Sequence, residues 1–436
     1  MSNELLGLVA LGLLFAIIFV GFPIAFTLGA VALGTGFYAF GFMVFDLAVL
    51  QTFSVMKDTV LASIPFFLFM GFLLEQSGLM ERMFTGIQQL LAGLRGSLYL
   101  AVMITATIFA AATGIVGSAV TLLGVMAGPA MIKSGYDTKM SAGVIAAGGT
   151  LGILIPPSVM LIVMGPVVGV PATDLFAAAV IPGLLLSVIF TTWCLVRCWL
   201  NPALGPALPP EMRATSMSAV VRDLVIGVAP VIVVILSTLG VILAGIATPT
   251  DAGAVGSAAV LLLTVGSGRM TLAKIRRSAL QTLEVSSMIL MLVTASNLFG
   301  AVFSRLGSAE YLAGLLISLD LPPMLMLTVI LGLIFVLGWP LEWVPIVLIV
   351  VPIVLPIVQA AGIDLIWFCT LVAMTLQTAW LSPPVALSAY FLKGVVPQWE
   401  LKQIYASMVQ FMILQLVGVG LVMAFPKMAT WLVTVN

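Results

Sequence analysis

The 436 residues are 62% hydrophobic and 7% charged, with sixteen basic and sixteen acidic side chains and a formal net charge of zero. A soluble domain carries about 25% charged residues, so this composition excludes a water-soluble globular fold and calls for a lipid bilayer as solvent. The chain has no histidine, which removes the Ser-His-Asp triad and the usual proton shuttle and metal ligand, and no basic patch with interleaved aromatics points to nucleic acid.

Apolar runs recur at lengths suited to spanning helices, which need roughly 20 residues each. The first covers 5–20. No basic stretch precedes it and no small-residue cleavage site follows, so it reads as a retained span rather than a signal peptide. Spans at 23–41 and 59–77 complete a scaffold segment, 1–77, and an amphipathic arm at 80–95 carries Arg82 and ends at Arg95. The stretch 97–131 is too long for one straight span and is interrupted around 112–118, as in a re-entrant hairpin. A helix over 139–170 is broken at 152–158, and a span follows at 175–199. Cys194 and Cys198 in that span, and Cys369 later, read as small buried hydrophobes rather than metal ligands. The second half gives spans within 223–303, an arm at 307–320, a hairpin at 322–360, a broken helix at 364–394 and a final span at 401–430.

The halves, 1–222 and 223–436, repeat one another. At an offset of 227 residues Pro129 meets Pro356, Gly135 meets Gly362, Asp137 meets Asp364, Pro156 meets Pro383 and Pro157 meets Pro384. The shared pattern is P-x5-G-x-D-x18-P-P, and Pro23 meets Pro249 one residue out of register. If each hairpin returns to its own side and each broken helix crosses, thirteen Lys and Arg residues fall on one face. Only Lys57, Arg305 and Lys427 fall on the other. Cytoplasmic loops collect Lys and Arg, so the rich face is cytoplasmic, both termini are periplasmic and the second half is inverted relative to the first. The expected fold is an all-α polytopic membrane protein of two inverted repeats, with about ten spanning helices plus two re-entrant hairpins.

Four backbone breaks stand in repeat-related places: the hairpin tips 113–118 and 338–342, and the Pro-Pro breaks 148–158 and 376–384. Broken backbone survives in a bilayer only where protein buries it or it lines a cavity, and inverted-repeat transporters bind substrate and ions at such breaks. Freed carbonyls and hydroxyls suit one Na⁺ site per half, with room for a carboxylate between the tips. Glu342, an acid in an apolar stretch, is a functional candidate that could instead cap a half-helix. Asp251 reads as a helix cap, and Glu284 and Asn297 as interhelical or end-of-span polar residues.

The runs Phe109–Gly114, Gly135–Asp137, Gly148–Ser158, Ala247–Asp251, Leu376–Pro384 and Phe391–Gly394 stretch across nearly the whole chain. They resemble the large membrane subunit of tripartite ATP-independent periplasmic (TRAP) transporters. Asp251 stands where that family more often has Glu, and Glu342 where it often has Asp. The resemblance implies a Na⁺-driven secondary importer of a small organic acid such as a dicarboxylate, sialic acid or a 2-oxo acid, in a bacterial inner membrane. It implies an elevator mechanism, a small four-helix membrane subunit and a periplasmic substrate-binding protein as partners, and no cofactor beyond Na⁺ as coupling ion. One Na⁺ site would use Thr113, Gly152, Ile155 and Pro156, and the other Gly338, Ala379, Ser382 and Val385, mostly through backbone carbonyls. Substrate would meet Gly114, Gly117, Ser118, Ser158, Glu342, Thr378 and Pro383. No Walker A run occurs, and without a catalytic pair or metal cluster the chain does not read as an enzyme. A stand-alone Na⁺/organic-anion symporter of the same fold is the alternative.

Overall fold

The computed structural model describes residues 2–214, 216–266, 268, 270–383 and 386–435, and every regular element among them is helical. The first half holds α1 (Asn3–Val20), α2 (Ile24–Phe40), α3 (Met43–Lys57), α4 (Ser63–Gln76), α5 (Leu79–Leu90), α6 (Ser97–Thr113), α7 (Val116–Lys133), α8 (Thr138–Thr150), α9 (Val159–Val168) and α10 (Ala172–Leu200). The second holds α11 (Met217–Leu243), α12 (Pro249–Gly266), α13 (Leu272–Arg305), α14 (Ser308–Ile317), α15 (Pro323–Gly338) and α16 (Trp343–Ala360). It ends with α17 (Leu365–Gln377), α18 (Leu387–Val395), α19 (Leu401–Ala424) and α20 (Lys427–Val435). Both α11 and α16 contain a π-helical turn, at Leu236–Gly240 and Ile346–Val350.

Eight of the described helices are long and apolar enough to cross a membrane. Two of these, α7 and α16, are the second limbs of the hairpins. The other six are joined, in the ten-crossing reading, by α2, α4 and the two broken helices, all in pieces shorter than 18 residues. Length alone therefore does not mark them. The arm α5 leaves α4 at 59°, where Gly78 takes a φ of 70°.

Two element boundaries depart from the sequence reading. Residues 43–57 form α3, where no helix was expected. It is too short to span, and it carries Asp46, Gln51 and Lys57, so no apolar run announces it. Its exposed apolar residues Met43, Phe45, Val49, Leu50, Phe53 and Met56 recur at helical spacing. The final span ends at Ala424 rather than continuing to 430, because Pro426 cannot donate to that helix, and α20 starts afresh.

The repeat is visible bond by bond. Asp137 caps α8 by accepting from the Met140 N–H at 2.7 Å, and Asp364 caps α17 by accepting from the Trp367 N–H at 2.8 Å. The turn before each cap uses a left-handed glycine, Gly135 (φ 70°) or Gly362 (φ 67°). The same wide turn closes both, with Tyr136 N–H donating to Met131 O at 2.9 Å and Ile363 N–H to Val358 O at 3.1 Å. Asp137→Ala and Asp364→Ala are expected to destabilise the protein alike, by about 0.5–2 kcal/mol each, read as thermal unfolding in detergent. A loss confined to one of them would contradict their equivalence.

The halves also clamp one another reciprocally. The arm α5 packs on α11, the opening span of the second half, and the arm α14 packs on α1, the opening span of the first. Glycines allow both close approaches. A Cβ on Gly227 would lie 2.8 Å from Met83 N, and one on Gly7 would lie 2.0 Å from Ser308 Oγ. Likewise α4 packs on α12, and α2 packs on α13. Such exchange of partners is what two halves related by a two-fold axis make.

Burial separates the helices into two kinds. In α8 every residue from Met140 to Thr150 is buried, and in α17 every residue from Trp367 to Gln377. By contrast α1, α2 and α3 expose many large apolar side chains, as helices facing lipid do. All three cysteines are free and buried. Basic residues from distant segments meet at shared clefts: Arg82 with Lys274, and Lys139 with Arg197. Asp174, Asp251 and Val433 share a different cleft.

Candidate functional site

Each hairpin tip rests on the break of its own half. In the first half α6 ends at Thr113, whose Oγ1 turns back to donate to Phe109 O at 3.0 Å. Gly114 follows with a φ of 64°, its N–H donating to Ala110 O at 3.3 Å. A Cβ on Gly114 would lie 2.6 Å from the Pro157 carbonyl oxygen, so the tip sits on the break backbone to backbone. Gly152, in the break, lies opposite: a Cβ there would be 3.5 Å from the Gly114 carbonyl carbon and the Ile115 nitrogen. Gly71 of α4 closes on the same tip, with its Cβ position 3.0 Å from Thr113 O.

The first break follows from its residues. After α8 a single 3-10 turn, Leu151–Ile153, carries the chain to Pro156 and Pro157, joined by a cis peptide bond. Neither proline can donate an N–H, so the carbonyls upstream have no helical partner. Ser158 donates its hydroxyl to Ile153 O, and α9 starts at Val159. The second break has the same form: α17, a 3-10 turn at Thr378–Trp380, then Leu381, Ser382 and Pro383. Ser382 Oγ donates to Thr378 O at 2.8 Å and lies 3.0 Å from Met412 Sδ. The second tip approaches here too, since a Cβ on Gly338 would lie 3.4 Å from Ala379 Cβ.

The four features converge on one cavity of about 150 Å³. Its walls are Gly114, Ile115, Val116 and Gly117 from the first tip, and Ile153, Ser158, Val159 and Met160 from the first break. Glu342, Trp343 and Val344 of the second tip and Trp380 of the second break complete that side. Leu68 of α4 and Val285, Met288 and Ile289 of α13 also line the cavity. The first turns of α7, α9 and α16 all reach this cavity. Unpaired N–H groups and the helix dipole make such turns favourable for an anion.

The expected substrate residues Gly114, Gly117, Ser158 and Glu342 line the cavity, while Ser118, Thr378 and Pro383 are not among its described walls. Thr378 is buried and donates its hydroxyl to Thr375 O at 2.5 Å. Of the expected ion residues, Gly152 faces Gly114 and Ile115, the two residues after Thr113, and Gly338 meets Ala379 across the second tip. Ile155 packs on Gly183 of α10, its Cγ1 being 2.6 Å from that glycine's Cβ position. Val385 lies outside the described residues. Glu342 occupies the N-cap position of α16, yet its side chain makes no capping hydrogen bond, so a capping role does not account for it. Asp251 is not itself the cap of α12. Thr248 is, accepting from the Asp251 N–H at 3.2 Å while donating its hydroxyl to the Asp251 carboxylate at 2.7 Å. Asn297 stands with Asp58 at a cleft between α3, α9 and α13, and Glu284 is exposed.

The family sequence profile described as tripartite ATP-independent periplasmic transporter, DctM component, matches residues 11–428. The chain belongs to the TRAP transporter large permease family. The C4-dicarboxylate TRAP transporter large permease protein DctM of Rhodobacter capsulatus is 30% identical over 405 residues, covering 89% of this chain and 90% of that protein. The sialic acid TRAP transporter large permease protein SiaM of Vibrio cholerae is 29% identical over 390 residues, 88% of each chain. Among solved structures, the YdaH transporter of Alcanivorax borkumensis shares the fold, with a TM-score of 0.62, 14% identity and 87% of each chain covered. The TRAP permeases it resembles are transporters.

Sequence reasoning missed part of the TRAP permease cavity. Trp380 was within a motif already singled out, and Trp343 directly follows Glu342. Val285, Met288 and Ile289 carried only the i, i+3, i+4 spacing of any buried helix face.

Proposed function

We propose that the chain is the permease subunit of a Na⁺-coupled, binding-protein-dependent importer of a small organic acid. The observation that carries this reading is the convergence of three helix N-terminal turns on one cavity that Arg and Lys do not reach among its described walls. An organic carboxylate there would be held by backbone N–H groups and hydroxyls. Backbone carbonyls at the two breaks, each approached by a hairpin tip, would supply hard oxygen ligands suited to Na⁺. The first cation site uses Thr113, Gly152, Ile155 and Pro156; the second uses Gly338, Ala379 and Ser382, with Val385 beyond the described residues. Relatives whose names specify C4-dicarboxylate and sialic acid support an organic acid as cargo and leave its identity to experiment.

The cavity lies between the hairpin and broken-helix body and the scaffold helices α4 and α13. That position suits an elevator, in which the first body slides along the second. The lipid-facing helices α1–α3 belong to the scaffold, where a small four-helix membrane subunit would join. The reciprocal clamping of the halves and the thirteen-to-three charge bias together support an inverted repeat in a bacterial inner membrane, both termini periplasmic, with the cytoplasmic face at Arg82, Lys139, Arg197 and Lys274.

Reconstitution with the small subunit and the binding protein should give uptake of one or a few organic acids that requires an inward Na⁺ gradient. Uptake indifferent to Na⁺ across a panel of dicarboxylates, sialic acids and 2-oxo acids would remove the coupling claim. Equal uptake without the binding protein would favour the stand-alone symporter.

A further inference from the structure

Among the described residues, the two broken helices are joined by a buried polar pair. Gln377 Nε2 donates to Thr150 Oγ1 at 2.9 Å, and Thr150 Oγ1 donates in turn to Ala147 O at 2.8 Å. Both side chains are fully buried, at 0% exposure. The two residues are 227 positions apart, the offset of the repeat. Residues related by a two-fold axis meet each other only where the axis passes. The bond therefore marks the axis, in the middle of the body that carries both tips and both breaks.

Its position along the chain is as specific as its place in space. Thr150 is the last residue of α8 before the 3-10 turn of the first break, and Gln377 the last of α17 before the 3-10 turn of the second. Rewinding or rotating either break moves one end of the bond. The other end is held by the Thr150 bond to Ala147 on one side and, one turn back from Gln377, by Gln415 Nε2 donating to Met374 O at 2.8 Å on the other. Inside a body of low dielectric, a fully buried polar pair resists such separation.

We propose that the Thr150–Gln377 hydrogen bond couples the two helix breaks, so that ordering one orders the other and the two cation sites fill cooperatively. Thr150 and Gln377 are thus positioning residues that touch neither ion nor cargo. The consequence for cations rests on the reading of the breaks as Na⁺ sites; the coupling of the breaks does not.

Two measurements separate these. Hydrogen exchange on the purified chain should show that Gln377→Leu speeds exchange at 151–158, in the other half, as well as at 378–383. Thr150→Val should do the same in reverse, each by severalfold. In reconstituted uptake the Hill coefficient for Na⁺, which cannot exceed the number of sites, should fall from near ~2 toward ~1 in both variants. The exchanged pair, Thr150→Gln with Gln377→Thr, restores the bond across the axis and should restore both readouts, which a loss of packing would not. Exchange that changes only at the substituted break would overturn the coupling. Na⁺-indifferent uptake by the unsubstituted protein would instead remove the cation reading, and the exchange result would still decide the coupling.

Discussion

Gly114→Ala is expected to cut Na⁺-driven uptake by at least about tenfold while the protein still inserts and folds. Two effects add at this position. A φ of 64° places any L side chain in the left-handed region, at roughly 1–2 kcal/mol. The new Cβ would then meet the Pro157 carbonyl oxygen at 2.6 Å, and that atom is backbone, with no rotamer to retreat into. The tip must lift off the break. Because ~1.4 kcal/mol is a factor of ten in affinity, a shift of that size in the closed arrangement is expected to weaken the proposed first cation site about tenfold. Gly117→Ala is the contrast. There the added Cβ meets the Phe391 ring at 3.1 Å, a side chain stacked on Trp380 that can turn aside. Initial uptake rates at several Na⁺ concentrations, with thermal unfolding as the control, separate the two. Near-normal transport by Gly114→Ala would mean that the close contact of tip and break is not part of the mechanism.

The main architecture was legible because the same physics acts twice along the chain. Prolines and glycines at a fixed offset mark breaks, and α6, α8, α15 and α17 end at Thr113, Thr150, Gly338 and Gln377, beside the positions the pattern marks. What stayed hidden depended on partners. The segment 43–57 carries apolar residues at helical spacing, but it is too short for a span, so the length rule for spans passes over it. The cap at Thr248 was hidden by its neighbour, because Thr-x-x-Asp allows either residue to serve and only the geometry says which does. The Thr150–Gln377 pair was hidden for a different reason. Equivalent positions that contact one another need complementary side chains rather than identical ones, so a search for matching residues passes over the axis itself. The scaffold wall of the cavity was hidden too, as Val285, Met288 and Ile289 are ordinary apolar residues made part of a site only by what faces them.

Ser382→Ala is expected to raise the Na⁺ concentration for half-maximal uptake by roughly two- to tenfold, the span of ~0.5–1.5 kcal/mol for one hydrogen-bonding hydroxyl. Ser382 Oγ donates its proton to Thr378 O, which leaves its lone pairs free to face a cation held by the neighbouring carbonyls. The repeat-related position in the first break is Ile155, which can offer a cation only its backbone. Ser382→Ala would therefore leave the proposed second cation site with backbone ligands only, as proposed for the first, weakened but not destroyed. That asymmetry predicts the form of the result as well as its size: maximal uptake at saturating Na⁺ should stay near normal while the half-maximal concentration rises. Because the same hydroxyl also sits 3.0 Å from Met412 Sδ in α19, expression and thermal unfolding must be followed in parallel. Loss of expression in proportion to loss of uptake would assign Ser382 to folding, whereas a shifted Na⁺ curve on a normally folded protein assigns it to the ion.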